Sequence, residues 1–553
     1  MNPGGVSLIV QSGLLSAGFI TTLMDNKTLG LAKVCSIGNR SDVEESELLE
    51  YLLKDPATKV IALYLESFIH GRRFYELALS SEKPIVVLKG GKTSLGAEAS
   101  ASHTASLAGN HELIRGALGQ AGIHQADDFF EMVDIARALE KDFSLQNPPE
   151  GKGRIAILSY SGAAGIVTTD HMVADGLTLA RLSPKTLERL KEVSPAWMPV
   201  KNPVDYWPAM EKHGPVLAYK HGIQALYEAP EVDGIIVHLF AGFGIWFLDM
   251  KEIISVIKEP RKPILFWLIG PEKGREVTRM TLEKEGWPTF YEIHRTVKVM
   301  ASLFDQGKKR KKDLEISPIQ FPISQSLRKM VDQADKADTQ LLDEYEAKKW
   351  FKAIGLNVVK EMTVKDLEET LKAAEEIGYP VVLKGRVEGK IHKTEAGLVK
   401  SNLWTKNQLR AAYEEMNSLN PKPPSFLIQP MLKGHLELIV GTVRDPQFGP
   451  AVMLGLGGIH AEVYRDVIFR LPPLTEPDVV EMVSELKGKA LLRGYRGSKP
   501  VNMKSLSDWL IKLGWLVLTF EKIQEIDVNP LLIVDGKPIA VDATIVLRSN
   551  LQA

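Results

Sequence analysis

His103 stands within Ala99-Ser-Ala-Ser-His103-Thr-Ala-Ser-Leu-Ala-Gly109, where small residues on both sides leave its imidazole uncrowded. A neutral imidazole nitrogen attacks phosphorus without first losing a proton to a base, so this loop suits nucleophilic phosphoryl transfer. A capping or hydrogen-bonded loop histidine fits the same local sequence. His392 lies in a second polar, glycine-flanked loop, Gly385 to Gly397. Glu66 ends the apolar run Val60-Ile-Ala-Leu-Tyr-Leu65, which places a carboxylate at the carboxyl edge of a sheet, where α/β folds bind ligands. There it can accept an imidazole N–H and fix the tautomer. The bland alternative is an exposed strand-end glutamate.

Other residues suit anions and a hard cation. Val6-Ser-Leu-Ile-Val-Gln-Ser-Gly13 is echoed by Ile155-Ala-Ile-Leu-Ser-Tyr-Ser-Gly162. Each reads as a buried strand turning through Ser-Gly into a helix, whose first N–H groups and dipole favour a phosphate. The candidates are Ser12 and Gly13 in one copy and Ser161, Gly162 and Gly165 in the other; tight turn geometry alone also explains such residues. Val381-Val-Leu-Lys384 is an apolar strand ending in a lysine able to reach polyphosphate oxygens. Asp527 and Asn529 share one face of a strand by the period of two, and Asp542 follows on an adjacent segment. Oxygen-only ligands of this kind suit Mg²⁺.

The elements that must hold these residues are legible in the pattern of apolar runs. Val6–Val10, Val60–Leu65, Ile85–Leu88, Ile155–Leu158, Gly234–Leu239 and Ile264–Leu268 alternate with amphipathic stretches of helical length. Such runs predict parallel strands covered by helices on both faces, an α/β doubly wound architecture. The repeat predicts two similar domains, 1–148 and 149–306, then a linker at 307–339 and an α+β domain at 340–553. A helix is expected over Leu341–Phe351, with strands at Val381–Lys384, Phe426–Gln429, Leu436–Gly441 and Ala451–Leu454. The basic run Gly307-Lys-Lys-Arg-Lys-Lys-Asp313 reads as a solvated connector. The whole chain has 553 residues, 68 Lys+Arg against 69 Asp+Glu, 44% hydrophobic and 25% charged residues, which excludes overall disorder and a generally basic nucleic-acid-binding surface. One cysteine, Cys35, excludes an intramolecular disulfide and a cysteine-based zinc site. With no 18-residue apolar run and no signal-peptide pattern, no membrane or nucleic-acid partner is expected, and a cytoplasmic enzyme is the expectation.

Together these motifs make the chain resemble the NDP-forming acyl-CoA synthetases, the superfamily of succinyl-CoA synthetase and ADP-forming acetyl-CoA synthetase. The matches run in consistent order through Gln11-Ser-Gly13, Tyr64-Leu-Glu66, Ser102-His-Thr104, Asn202-Pro-Val-Asp205, Lys384, His392-Lys-Thr394, Arg444-Asp-Pro446, Gly455-Leu-Gly-Gly-Ile459, Phe469-Arg-Leu-Pro-Pro473, Gly494-Tyr-Arg-Gly497 and Asp527-Val-Asn-Pro530. The resemblance implies two flavodoxin-like, succinyl-CoA synthetase-like domains followed by an ATP-grasp domain. It implies an acid–thiol ligase that converts ATP or another NTP, a small carboxylic acid and CoA reversibly into acyl-CoA, ADP and phosphate. His103 would be the phosphohistidine, oriented by Glu66, and His392 the second histidine of the relay. Lys384 and Glu437 would contact the nucleotide, Gln429, Pro430 and Met431 would line the adenine, and Asn529 and Asp542 would hold Mg²⁺ with Asp527 beside them. Two positions depart from the family pattern: Pro430 stands where a glutamate is usual and Ser67 where glycine is common. No glycine-rich CoA-binding fingerprint precedes Val6, so CoA binding is expected from a separate subunit, within an oligomer. The competing readings are a phosphohistidine-bearing regulatory or scaffold subunit and an ATP-grasp carboxylate–amine ligase.

Overall fold

The computed structural model describes the chain apart from residues 1–2, 14–16, 19–20, 23–28, 94, 96–109, 142–152, 259–260, 310–320, 388–395, 459–465, 496 and 550–553. It divides into two compact units, Met1–Ala108 with Ala121–Glu315, and Gly109–Gln120 with Ile316–Ala553.

In the first unit, β1 (Pro3–Val10), β2 (Leu31–Ser36), β3 (Val60–Leu65), β4 (Ile85–Lys89) and β5 (His124–Ala126) form a parallel sheet in the order β2-β1-β3-β4-β5. The β3 and β4 strands are buried on both faces save Tyr64, which is why they read as unbroken apolar runs. The second sheet uses β6 (Arg154–Ser159), β7 (Thr178–Leu179), β8 (Val204–Asp205), β9 (Gly234–Phe240), β10 (Ile264–Ile269) and β11 (Thr289–Phe290), in the order β11-β10-β9-β6-β7, with β8 also on β6. Counted within each half, and leaving out the two-residue β8 that pairs only with β6, both sheets follow the order 2-1-3-4-5, so the repeat read from the two Ser-Gly segments is a repeat of topology. In that order the strand direction of travel reverses between the first and third strands, and the crevice there is where doubly wound sheets bind ligands.

One continuous apolar core runs through both sheets, from Val6 and Leu8 to Met300 and Phe304. A buried ionic cluster joins them. Arg137, on the helix Phe129–Leu139, donates to Asp134 and to Glu283 of the second half, each at 2.9 Å, and Arg295 reaches Asp134 at 3.2 Å.

The second unit holds an antiparallel seven-stranded sheet and a four-stranded one. Its strands are β12 (Leu341–Leu342), β13 (Met362–Val364), β14 (Val381–Arg386), β15 (Val399–Leu403), β16 (Ser425–Pro430), β17 (Leu436–Asp445), β18 (Gly449–Leu456), β19 (Val467–Arg470), β20 (Ile523–Val534), β21 (Lys537–Ala540) and β22 (Thr544–Leu547). The large sheet runs β12-β22-β20-β17-β18-β19 with β21 on β20, and the small one β13-β16-β14-β15. The helix expected from Leu341 begins at Glu344, because Leu341 and Leu342 pair with β22 and Asp343 caps the helix by accepting Glu346 N–H at 3.1 Å. Within the expected linker lies a helix, Gln325–Lys336, whose Leu327 and Ala334 are buried in the core of this unit. The helix His111–Gln120 also belongs here, its Gln120 exchanging two hydrogen bonds with the backbone of Leu471 at 2.7 and 2.9 Å. Among the described residues no helix is long and apolar enough to cross a membrane.

Candidate functional site

At the crevice of the first sheet, Gln11 follows β1 and Glu66 follows β3. The two are tied together: Glu66 N–H donates to Gln11 Oε1 at 2.7 Å, and Gln11 N–H to Tyr64 O at 3.1 Å. Glu66 is 8% exposed, not a solvated strand-end carboxylate. Tyr64 donates to its Oε1 at 3.3 Å, and burial together with the Glu66 charge pushes the phenol up to about 12. Lys89, at the end of β4, gives its ammonium to the carbonyls of Glu66, at 2.7 Å, and Gly90. Burial pulls this ammonium down to about 8, although the Glu66 charge works against that shift. Arg40, on the loop after β2, donates to Glu45, to Ser67 O and to Ser67 Oγ, the last at 2.6 Å. The serine found at a position where glycine is common thus supplies a guanidinium acceptor. Ser12 is half-buried and Gly13 exposed, with open space where a Cβ would sit. His103 lies outside the described residues, so its approach to Glu66 does not enter this geometry.

The second sheet repeats the arrangement. The helix Gly162–Ala174 starts at Ser161, whose side chain makes no capping bond, so its first amides keep their donors. Ser159 Oγ accepts Ser161 N–H at 3.0 Å and meets His238 Nδ1 at 2.9 Å, while His238 Nε2 meets Thr168 Oγ1 at 3.0 Å. Burial drives the His238 imidazole down to about 3, so it stays neutral and braces the turn. Gly165 is buried one turn further on, its amide bonded to Ser161 O at 3.2 Å and its Cα packed against Pro203. Only Ser161 and Gly162 therefore sit at the open end of this helix. Around the same edge Tyr206 is buried, while Phe243, Ile245 and Phe247 are exposed and Trp246 stacks on Trp207 at 4.7 Å.

In the second unit the structure gathers residues that sequence reasoning left apart. Lys384 Nζ meets Glu344 Oε1 at 2.6 Å, Val541 O at 3.1 Å and Asp542 Oδ2 at 3.5 Å. Lys348 meets the same Glu344 oxygen at 2.7 Å and also pairs with Glu361. Burial would lower the Lys384 ammonium, but Glu344 and Asp542 outweigh it and hold it above the ordinary lysine value. Removing one member of such a buried cluster leaves an uncompensated charge, a cost of about 3–5 kcal/mol. Glu344 and Lys348, at the i,i+4 spacing of a surface pair, were legible only as such; their burial marks them as supports of Lys384.

Asp527 lies half-buried on the face of β20 opposite Ile526 and Val528, with Glu525 and the exposed Asn529. Burial, then Glu525 and Asp542, raise its carboxyl to about 6. Carboxylates that disfavour one another's charge make an oxygen-donor set that fits a divalent cation. Among the described residues no three His, Cys, Asp or Glu side chains gather into a metal cluster, so Asn529 and substrate phosphates would have to complete the shell. Gln429 is 1% exposed, and its Oε1 lacks a partner among the described residues. Met431 N–H donates to Pro380 O at 2.9 Å, and Pro430, lacking an N–H, pairs in register with Val381. Glu437 is exposed on β17, its carbonyl accepting Gly457 N–H at 2.8 Å. His392 lies outside the described residues.

Residues 3–139 match the family model of the succinyl-CoA ligase like flavodoxin domain, and residues 333–547 that of the ATP-grasp domain. The chain is 33% identical over 559 aligned positions to acetate–CoA ligase [ADP-forming] I of Archaeoglobus fulgidus, covering 98% of this chain and 78% of that one. It is 43% identical over 226 residues to acetate–CoA ligase [ADP-forming] I subunit beta of Pyrococcus furiosus, covering 40% of this chain and 97% of that subunit. Among solved structures it resembles the dinucleotide forming acetyl-coenzyme A synthetase 1 of Ca. Korarchaeum cryptofilum in complex with phosphate and ADP. That match has TM-score 0.51 and 28% identity, over 58% of this chain and 68% of the other.

Proposed function

Because the chain belongs to the ADP-forming acyl-CoA ligases, and is therefore an ATP-dependent acid–thiol ligase, we propose that it works by a two-histidine phosphoryl relay. The γ-phosphoryl group of ATP passes to His392, releasing ADP, and then to His103, one P–N bond breaking as the next forms. A carboxylate oxygen of the acid takes the group from His103 as an acyl phosphate, and the electron pair of the broken P–N bond returns to the imidazole. The CoA thiolate then attacks the acyl carbon and phosphate leaves. Each transfer replaces one difficult step by easier ones. Glu66 orients His103. Ser12, Gly13 and Gly162 offer backbone donors and Ser161 its hydroxyl to the phosphoryl oxygens, with Gly165 closing the second turn behind them. Lys384 and Glu437 bind nucleotide, and Gln429, Pro430 and Met431 line its adenine. Mg²⁺, held by Asn529 and Asp542 with Asp527 beside them, would neutralise charge on the phosphates.

The observation that supports this reading most is the meeting of Lys384, within β14, with Asp542, 158 residues away in sequence on the segment between β21 and β22. A relative bound to phosphate and ADP is consistent with it. The relative that is a separate beta subunit supports a further element, CoA recognition supplied by a partner chain within an oligomer.

The relay order is testable by labelling with γ-³²P-ATP and Mg²⁺. The wild-type chain should acquire acid-labile, base-stable phosphohistidine. His392→Ala should abolish label on His103, whereas His103→Ala should leave transient label on His392. Equal label on His103 in the His392→Ala variant would sink the relay.

A further inference from the structure

The side chain of Gln11 is 4% exposed at the crevice between β1 and β3. Its Oε1 is committed to Glu66 N–H at 2.7 Å, and since a backbone amide can only donate, this bond fixes which end of the side-chain amide is oxygen. The other end, Nε2, carries two N–H donors and has no hydrogen-bond partner among the described residues. A buried donor left unsatisfied costs about 1–3 kcal/mol, and native chains keep few of them.

The surroundings hold buried charges of both signs, the Glu66 and Glu45 carboxylates beside the cations Arg40 and Lys89. Arg40, held at φ +58 with a side chain 5% exposed, spends its terminal nitrogens on Glu45 and Ser67, and its Nε is a second buried donor without a partner among the described residues. Lys89 brings a further cation to Glu66 O. Beside Gln11 the Ser12-Gly13 turn is open where a Cβ would be. A buried, unpartnered side-chain donor at the crevice where a doubly wound sheet binds ligands calls for an acceptor, and an anion with oxygen acceptors supplies one.

We propose that Gln11 Nε2 donates directly to an oxygen of a phosphate group bound in the crevice between β1 and β3, making Gln11 a substrate-binding residue of the ligase. The assignment rests on the phosphoryl-transfer reading above. Gln11 touches only phosphate oxygens and makes or breaks no covalent bond. The group is either inorganic phosphate or a phosphoryl group carried by protein or acid.

The test is calorimetric titration of the full chain with inorganic phosphate, and separately with ADP, for the wild type, Gln11→Glu and Gln11→Met. Gln11→Glu keeps an acceptor for Glu66 N–H while removing the donor. Gln11→Met removes the donor without adding charge. Phosphate affinity should fall at least about tenfold in both, with ADP affinity within about twofold of wild type. If only a covalently carried phosphoryl group uses the site, free phosphate affinity is weak throughout and the loss instead appears as at least tenfold faster decay of ATP-derived phosphoprotein. Wild-type values of both quantities in Gln11→Met would overturn the assignment. If Gln11→Met fails to fold, the same readouts on Gln11→Glu decide. A wild-type chain that neither binds phosphate nor takes label from ATP would remove the phosphoryl-transfer reading itself, an outcome distinct from loss confined to the Gln11 variants.

Discussion

At Lys89 two effects oppose each other: burial favours the neutral amine, the Glu66 carboxylate favours the ammonium, and burial wins, leaving the group at about 8. The sign of the consequence follows from which state holds the proton. The unfolded chain keeps it up to the ordinary lysine value, so as pH rises from about 8 through that window the folded state gains stability relative to the unfolded one. Anion binding should move the other way. As the ammonium is lost, the first sheet edge loses positive charge beside Glu66, so phosphate affinity should fall with a midpoint near pH 8. Lys89→Met should bind phosphate more weakly at pH 7 and show no such midpoint. An unchanged midpoint in Lys89→Met, followed by titration across pH 7–10, would assign the titration to another group. Nothing in the local sequence distinguishes Lys89 from a lysine that simply ends a strand, because the carbonyl that holds its buried ammonium comes from Glu66, 23 residues earlier.

The helix His111–Gln120 and β19 show how an element can be placed by contacts far away in sequence. A Cβ at Gly116 would lie 2.3 Å from Phe469 O, so only glycine lets the helix backbone approach the strand this closely. Four residues along the helix from that contact, the Gln120 amide mimics a strand's paired N–H and C=O against Leu471. Gly116→Val should therefore cost about 1–3 kcal/mol by overpacking, read as a lower midpoint in thermal or urea unfolding. A midpoint equal to wild type would mean that helix and strand part easily. No periodicity in residues 111–120 points to residues 469–471, which is why this contact was not legible. The parallel strands were, since burial on both faces leaves a continuous apolar signature, as in Val60–Leu65. The two Ser-Gly turns were legible for the same reason, each following such a strand. The Glu344–Lys348–Lys384 cluster was not, because an i,i+4 Glu–Lys pair has the same sequence whether solvated or buried. Gln11 was visible as part of a motif, but its role depends on an unpaired atom that only the fold defines.

For the whole molecule, charge and chemistry are distributed differently. The formal net charge is −1, so long-range attraction of anionic substrates is weak and local donors must do the selecting. Those donors lie at the crevices of the two parallel sheets, while Lys384 and the Asp527–Asn529–Asp542 face lie in the antiparallel unit. On the proposed relay, phosphoryl transfer draws on these residues together with His103 and His392, whereas thioester formation also requires a thiol held against the acyl phosphate. On the reading that a partner chain binds CoA, the 553-residue chain should label itself from ATP yet make acyl-CoA slowly, because free CoA meets the acyl phosphate only by encounter. Positioning a reactant is worth many powers of ten in effective concentration, so adding a separately expressed CoA-binding subunit should raise acyl-CoA formation by at least about a hundredfold. The assay is thioester formation across a panel of carboxylic acids, with and without that subunit, at fixed ATP and Mg²⁺. Labelling should be equal in the two arms, which separates loss of the thiol from loss of the relay. Rapid acyl-CoA synthesis by the isolated chain, saturating at ordinary CoA concentrations, would refute the partner and place CoA recognition among the residues of this chain.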